Sequence, residues 1–326
     1  MPRFTVKHIT HYNYFVPVRD NANLLMLYPI KDANQAVLKH NLKITNEPQV
    51  MVYKDYYGND VGVFTQASSQ LQLTIESELV VITNSLPLPH DRLPAEDQWK
   101  LLSAYNKKIK FIDFLLPDFF LSHNEIKAIA SSEKEKKGTP LETALHLNEF
   151  VFDHFEYVKG ITNVETTIDE IWKIKAGVCQ DFAHILLSML RLIDIPARYV
   201  SGYICPNQSG MRGEGATHAW VEAFIPGFNW IGLDPTNNCI VTDKHIRLAV
   251  GRSFLDCSPV KGSFKGSSQH SLEVGVSISH DNEISDEISL NTVLQPQRQL
   301  KSSDTSNSYR KYMELIEIQQ QQQQQQ

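Results

Sequence analysis

Gly177-Val-Cys179-Gln-Asp181-Phe-Ala-His184-Ile-Leu-Leu-Ser-Met-Leu-Arg191 is the stretch from which the rest of the chain can be ordered. Phe182, Ile185, Leu186, Met189 and Leu190 recur at i, i+3, i+4, i+7 and i+8, the period of an amphipathic helix. The helix begins at Cys179 or one residue beyond, and Pro196 ends it. Ala197 to Ile204 then reads as a strand. A glycine-rich loop follows (Gly210, Gly213, Gly215), then two strands, Thr217 to Ile225 and Trp230 to Asp234, joined through Pro226-Gly227. Leu248 to Val250 and Leu272 to Ile278 read as later strands.

Working upstream, residues 97–177 read as helical. Ser122-His-Asn-Glu125, Thr139-Pro-Leu-Glu142 and Thr167-Ile-Asp-Glu170 each offer an acceptor at N-cap and a carboxylate at N3. The second of these helices carries Leu141, Ala144, Leu145, Val151, Phe152 and Phe155 on one stripe, broken by the polar Asn148. Pro87, Pro89 and Pro94 mark a connector, and before it residues 3–82 read as β. Phe4 to Val6, Tyr12 to Val16 and Leu71 to Ile75 alternate, and Val50 to Tyr53 with Val61 to Phe64 form a hairpin around Tyr56-Tyr-Gly58. The expected fold class is α+β, with an N-terminal β-sandwich at 1–86 and a second domain at 97–280. The Ser-, Asn- and Gln-rich segment 281–326 is expected to be a disordered tail, with room for a short helix from Tyr309 to Ile318.

Composition narrows the function classes. The chain has 326 residues, a formal net charge of −6 and no basic stripe, which argues against nucleic acid and against an anionic membrane surface. No apolar run approaches the ~18 residues of a membrane span, and the N-terminus has no apolar leader. Cys179, Cys205, Cys239 and Cys257 contain no Cys-x-x-Cys pair, so neither a disulfide framework nor a zinc knuckle is expected. A cytoplasmic, reducing compartment follows, in which each cysteine is either a small buried hydrophobe or a reactive thiol.

Cys179 stands at a helix N-terminus, where unpaired N–H groups and the macrodipole favour a thiolate. Gly177 is read as room for a substrate carbonyl, and the N–H groups as an oxyanion hole. A thiol nucleophile needs a base, and the base an orienting group. His218, Trp220, Glu222 and Phe224 share one face of their strand; Trp230, Gly232 and Asp234 share one face of the next. An odd number of loop residues through Pro226-Gly227 sets His218 and Asp234 on one face, opposite or diagonal. His184 is read as a structural helix residue, Asp181 as a first-turn helix carboxylate, and Cys205, Cys239 and Cys257 as structural. Asn207-Gln-Ser209 fits a glycosylation pattern without a leader to make it meaningful.

With these residues in hand, the chain resembles the transglutaminase-like superfamily. The motifs are Gly177-Val-Cys179-Gln-Asp181-Phe-Ala-His184, Pro196-Ala-Arg-Tyr-Val-Ser-Gly-Tyr203, Thr217-His218-Ala-Trp220-Val-Glu222 and Trp230-Ile-Gly-Leu-Asp234-Pro-Thr-Asn237. They are most like microbial members often described as predicted cysteine proteases, and the resemblance covers about residues 140–280. His8-Ile-Thr-His-Tyr12-Asn-Tyr14-Phe-Val-Pro17-Val resembles the N-terminal β region paired with this core in bacteria. The resemblance implies a papain-like core with Cys179 as nucleophile, His218 as base and Asp234 as orienter. It implies acyl transfer through a thioester on a peptide or protein substrate, with water or an amine as acceptor and no metal or organic cofactor. The upstream side chain that assists the oxyanion in papain-like enzymes has no match; the Cys179 backbone N–H is left as donor, with Gln180 a weaker candidate. Peptide or amide hydrolysis is favoured. The alternatives are glutamine γ-glutamyl transfer and a catalytically silent peptide-binding module.

Overall fold

The computed structural model describes residues 1–84, 87, 93–205, 211–213, 217–266, 270–280 and 290–293. Five strands come first: β1 (Arg3–Leu25), β2 (Gln35–Ile44), β3 (Met51–Lys54), β4 (Asp60–Gln66) and β5 (Gln70–Thr83). The helices α1 (Ala95–Tyr105), α2 (Ile112–Leu115), α3 (His123–Glu135) and α4 (Pro140–His154) follow. β6 (Glu156–Tyr157), α5 (Ile168–Ile174) and β7 (Ala176–Gly177) lead into α6 (Cys179–Leu192). Then come β8 (Ala197–Ile204), β9 (Thr217–Ile225), β10 (Asn229–Asp234), β11 (Cys239–Ile240), β12 (His245–Gly251) and α7 (Phe254–Cys257). β13 (Val260–Lys265), β14 (His270–His280) and β15 (Leu290–Val293) complete the described elements. The class is α+β.

The capping boxes at Thr139 and Thr167 form: each hydroxyl accepts from the N3 backbone and each N3 glutamate accepts from the N-cap N–H. The box at Ser122 does not. The N–H groups of Leu121 and Ser122 instead donate to the Asp169 carboxylate at 2.8 Å each, and no side-chain cap forms on α3. A tertiary carboxylate has outcompeted the local one.

Two sheets carry the fold. β11-β10-β9-β8-β12 form an antiparallel sheet with α6 across it. Eleven of the fourteen residues of α6 are buried, because α3, α4 and α5 cover its other side. The periodicity marks an amphipathic helix; the structure makes it the central one. Likewise β8 and β9 are buried on both faces apart from Arg198 and Thr217, so the face bearing His218, Trp220 and Glu222 does not meet solvent.

On that second face Trp220, Val200 and Val250 pack against Ile30 and Tyr57 of the N-terminal half. β1 is one continuous strand of 23 residues, where alternation suggested two. It pairs with β5 and β14 along Arg3–Tyr14 and with β4 and β13 along Arg19–Leu25, joining an eight-stranded sheet. Phe4, Val6, Leu73, Ile75 and Leu79 fill its interior together with Tyr203, Ile246 and Leu248 of the other sheet. β13 and β14 return to β1, satisfying backbone groups that a β1 edge would expose, so residues 260–280 join the N-terminal sheet. Leu290–Val293 pairs with β14. Asn207 and the segment Tyr309 to Ile318 lie outside the described residues. All described residues fall in one compact unit, Met1–Leu294. Among them, no helix is long and apolar enough to cross a membrane.

Candidate active site

Cys179 is the first residue of α6 and half-buried. The chain reaches it through a short parallel ladder in which Tyr157 lies beside Gly177 and the Val158 N–H donates to the Gly177 carbonyl at 2.9 Å. Asp181 then locks the turn. Its Oδ2 accepts from the Val178 N–H at 2.7 Å and from the Thr162 hydroxyl at 2.6 Å. A β-carbon on Gly177 would collide with this carboxylate, so the glycine makes room for Asp181 rather than for a substrate carbonyl. Burial raises the Asp181 pKa, and the two hydrogen bonds oppose it. The first-turn N–H groups of Cys179 and Gln180 have no intrahelical acceptor, as at any helix start.

The β9–β10 ladder pairs Ile225 with Asn229 through Val221 with Leu233. One further step would set Asp234 opposite Trp220, which makes His218 the diagonal neighbour of Asp234. His218 Nε2 lies 2.8 Å from Asp234 Oδ2, both side chains fully enclosed. Its other ring nitrogen, Nδ1, has no nitrogen or oxygen partner. The Cys179 sulfur is the neighbour close enough to act on the ring electrostatically. Burial alone would drive the proton off this imidazole. The Asp234 carboxylate, helped by Cys179, reverses that and raises its pKa to about 10. The structure thus brings together Cys179, His218 and Asp234.

Asp234 is more heavily held than the sequence indicates. Oδ2 also accepts from Asn237 Nδ2 at 2.8 Å and faces His245 Nε2 at 3.2 Å, while Oδ1 accepts from the Thr236 N–H at 2.9 Å. Burial pushes the Asp234 pKa up, but the two histidines win and hold it below the usual carboxylate range. The Thr242 N–H donates to His245 Nδ1 at 3.3 Å, which leaves the His245 proton on Nε2, aimed at Asp234. Burial lowers the His245 pKa, in keeping with a neutral ring. His218, Asp234 and His245 are residue types that ligate metals, with ligand atoms within 4.8 Å of one another. Here the short contacts are accounted for as hydrogen bonds to one oxygen.

Two family models match the chain: the transglutaminase-like superfamily over residues 127–235 and the bacterial transglutaminase-like N-terminal region over residues 4–82. An uncharacterized protein of Mycobacterium leprae is 32% identical over 282 residues, 85% of this chain and 99% of its own. The chain belongs to the transglutaminase-like superfamily. A solved structure from Cytophaga hutchinsonii, provisionally classed as a cysteine protease, matches with a TM-score of 0.68 at 21% identity, over 87% of this chain and 92% of its own. That likeness speaks for a common papain-like, transglutaminase-like fold. A protein-glutamine gamma-glutamyltransferase of Pseudomonas aeruginosa is 29% identical over 123 residues, 34% of this chain and 18% of its own.

Other residues of this transglutaminase-like core fall outside the cluster of Cys179, His218 and Asp234. His184 is half-buried, with Nε2 accepting from the Phe254 N–H at 3.2 Å. Burial raises the thiol pKa of Cys205, Cys239 and Cys257. A cavity of about 910 Å³ lies by Gln35, Glu222, Trp230 and Arg247, and of the groups around Asp234 it touches only His245. Sequence reasoning missed His245 and the role of Asn237. His245 offers no local signal, because it reaches Asp234 only through the fold of the β11–β12 connection. Asn237 sits within a recognised motif, but its job depends on tertiary contacts. It accepts from the Arg212 N–H at 2.7 Å and donates to the Arg212 carbonyl at 3.2 Å, pinning residues 211–213 beside His218.

Proposed function

We propose that this protein is a cysteine-dependent acyl-transfer enzyme acting at amide bonds of peptides or proteins, with hydrolysis as its main outcome. The observation that carries the reading is the 2.8 Å contact of His218 Nε2 with Asp234 on a ring whose Nδ1 faces Cys179. A raised imidazole pKa at a helix start favours a thiolate–imidazolium pair. The thiolate attacks the substrate carbonyl. His218 gives its proton to the leaving amine, and the neutral ring then takes a proton from the incoming water or amine. Asp234 holds the ring by Nε2 and offsets its positive charge. Preference for water rests on the fold shared with the Cytophaga hutchinsonii protein; the match to the Pseudomonas aeruginosa transferase supports amine transfer as the second reading.

The test is a panel of peptide and glutamine-amide substrates, scored for hydrolysis and for amine incorporation. Wild type should form a Cys179 thioester detectable by mass spectrometry, and Cys179→Ala should form none. Turnover that survives Cys179→Ala would end the proposal. Incorporation of amine in preference to hydrolysis would select the transferase reading. Among the four thiols, Cys179 should react fastest with iodoacetamide in the folded protein.

A further inference from the structure

We propose that Tyr157 is a catalytic residue of this site, its phenol donating a hydrogen bond to the oxyanion formed when Cys179 attacks a carbonyl. This rests on the Cys179 reading above and supplies the side-chain donor for which the sequence shows no match. Three observations place the phenol. The β6–β7 ladder sets Tyr157 beside Gly177, two residues before the nucleophile. Its ring stands edge-on to Phe182 on the first turn of α6, with centroids 6.2 Å apart, which orients a side chain only half-buried. A β-carbon placed on Gly213 would stand 3.1 Å from His218 Nδ1 and 3.8 Å from Tyr157 Oη.

The phenol and the imidazole nitrogen therefore border one small volume. It is left clear because residue 213, at φ +81°, has no side chain. Asn237 anchors this glycine's neighbour, Arg212, so the border is held in place. No hydrogen bond to Tyr157 Oη occurs among the described residues, so the donor has no competing acceptor there. Burial, then the nearby charges of Cys179 and Asp234, raise the phenol pKa to about 12 against the pull of Arg212. Tyr157 is thus a protonated donor beside a thiolate, unsuited to act as the base.

In the step itself, the Cys179 sulfur pair forms the C–S bond and the carbonyl π pair moves onto oxygen. Tyr157 donates a hydrogen bond to that oxygen and keeps its proton, beside the Cys179 N–H. When the pair returns, the bond to the leaving group breaks and His218 protonates the departing atom where it needs a proton.

The experiment separates two reactions of the same thiol. Acylation by p-nitrophenyl acetate passes through an oxyanion; alkylation by iodoacetamide does not. Tyr157→Phe keeps the ring and its contact with Phe182. It should slow the acylation burst about 10- to 100-fold, in line with loss of one oxyanion donor. The alkylation rate of Cys179 should stay within about twofold. An unchanged burst, a parallel fall in both rates, or faster alkylation would each overturn the assignment. Cys179→Ala, run alongside, isolates the underlying reading: a burst that persists in it defeats the nucleophile assignment itself rather than the role of Tyr157.

Discussion

Two histidines, one in each half of the molecule, show what a buried imidazole becomes when its neighbours differ. His8 of β1 is 1% exposed and His218 of β9 is 3% exposed. His8 Nδ1 pairs with the Tyr203 hydroxyl at 2.8 Å and Nε2 with Thr10 at 3.2 Å, both neutral groups, and burial lowers its pKa to about 4. His218 suffers the same burial but faces Asp234 and Cys179, and its pKa rises instead. A neutral hydrogen bond satisfies the buried His8 ring; at His218 the closer carboxylate contact, with Cys179 beside it, makes the ring hold a proton, while His245 on the same carboxylate stays neutral. His8 ties the N-terminal sheet to β8, whereas His218 holds its proton against Asp234.

The sharpest way to break this contrast is Asp234→Asn. The carboxylate lost, His218 should behave as His8 does, with a pKa below the ordinary histidine value. Its amide neighbour would also favour the wrong tautomer. Acylation of Cys179 should fall by about 10- to 10³-fold, less than the ~10⁴ known for the analogous change in a serine enzyme, because the thiolate helps hold the charged ring. The pH dependence of iodoacetamide labelling follows Cys179 ionisation and so registers the change at its imidazole neighbour through their coupling. Equal rates in wild type and variant would remove Asp234 from the site. Asp181→Asn is the control: its carboxylate caps Val178 and Thr162, so stability should drop by about 1–3 kcal/mol with the labelling profile little changed.

The same comparison predicts opposite pH dependences of stability. His8 and His184 both have pKa values lowered to about 4 by burial, the latter with opposing influences from Asp118 and Arg191. The unfolded chain binds their protons first, so each removes stability as pH falls from about 6.5 toward 4, by up to about 3 kcal/mol. His218 has the reverse sign: its contribution is full below about 6.5 and is lost as pH rises through about 10. Denaturant unfolding between pH 7 and 4.5 should show the acid-side loss, and His8→Gln should flatten it. A slope unaltered in that variant would mean that His8 binds its proton equally well in the folded and unfolded chain.

A smaller effect tests the second histidine on Asp234. His245→Phe removes one of four donors to the carboxylate, leaving His218, Asn237 and Thr236. Acylation should fall about 3- to 10-fold, on the scale of one hydrogen bond of about 1 kcal/mol, and the labelling profile should shift less than in Asp234→Asn. A loss as large as that of Asp234→Asn would make His245 an equal partner of His218. The smallest effect belongs to the sheet that holds His8. Truncation after Val293 should leave the melting midpoint unchanged. Truncation after His280 also removes β15 and should lower it by no more than about 5 °C, with Cys179 chemistry intact.

Where a local pattern settles a local structure, the sequence could be read directly. The α6 stripe, the β9–β10 hairpin with its same-face His218 and Asp234, and the boxes at Thr139 and Thr167 all depend on residues a few positions apart. The Ser122 box failed because Asp169, 47 residues away, took the same N–H groups. β2 drew no notice because its ten residues include lysines, a histidine and an asparagine, and only Gln35 and Ile44 are fully buried. Gly177 was rightly singled out for a close approach, but the approaching group is Asp181 of the same turn.

The sequence by itself determined the α+β class, the order of the Cys179, His218 and Asp234 motifs, and the face that His218 and Asp234 share. These follow from periods of 3.6 and 2 and from motifs whose members are near in the chain. Only the tertiary structure decided that β13 and β14 close onto β1, that His245 and Asn237 steady Asp234, and that Tyr157 and Gly213 border the space before His218. The strand closure and the Tyr157–Gly213 border join segments tens to hundreds of residues apart, whereas His245 and Asn237 lie 11 and 3 residues from Asp234 but reach it through turns that no regular repeat encodes. The charge of a buried histidine is of the same kind, since it is set by which group the fold places opposite the ring, and no local pattern encodes that neighbour.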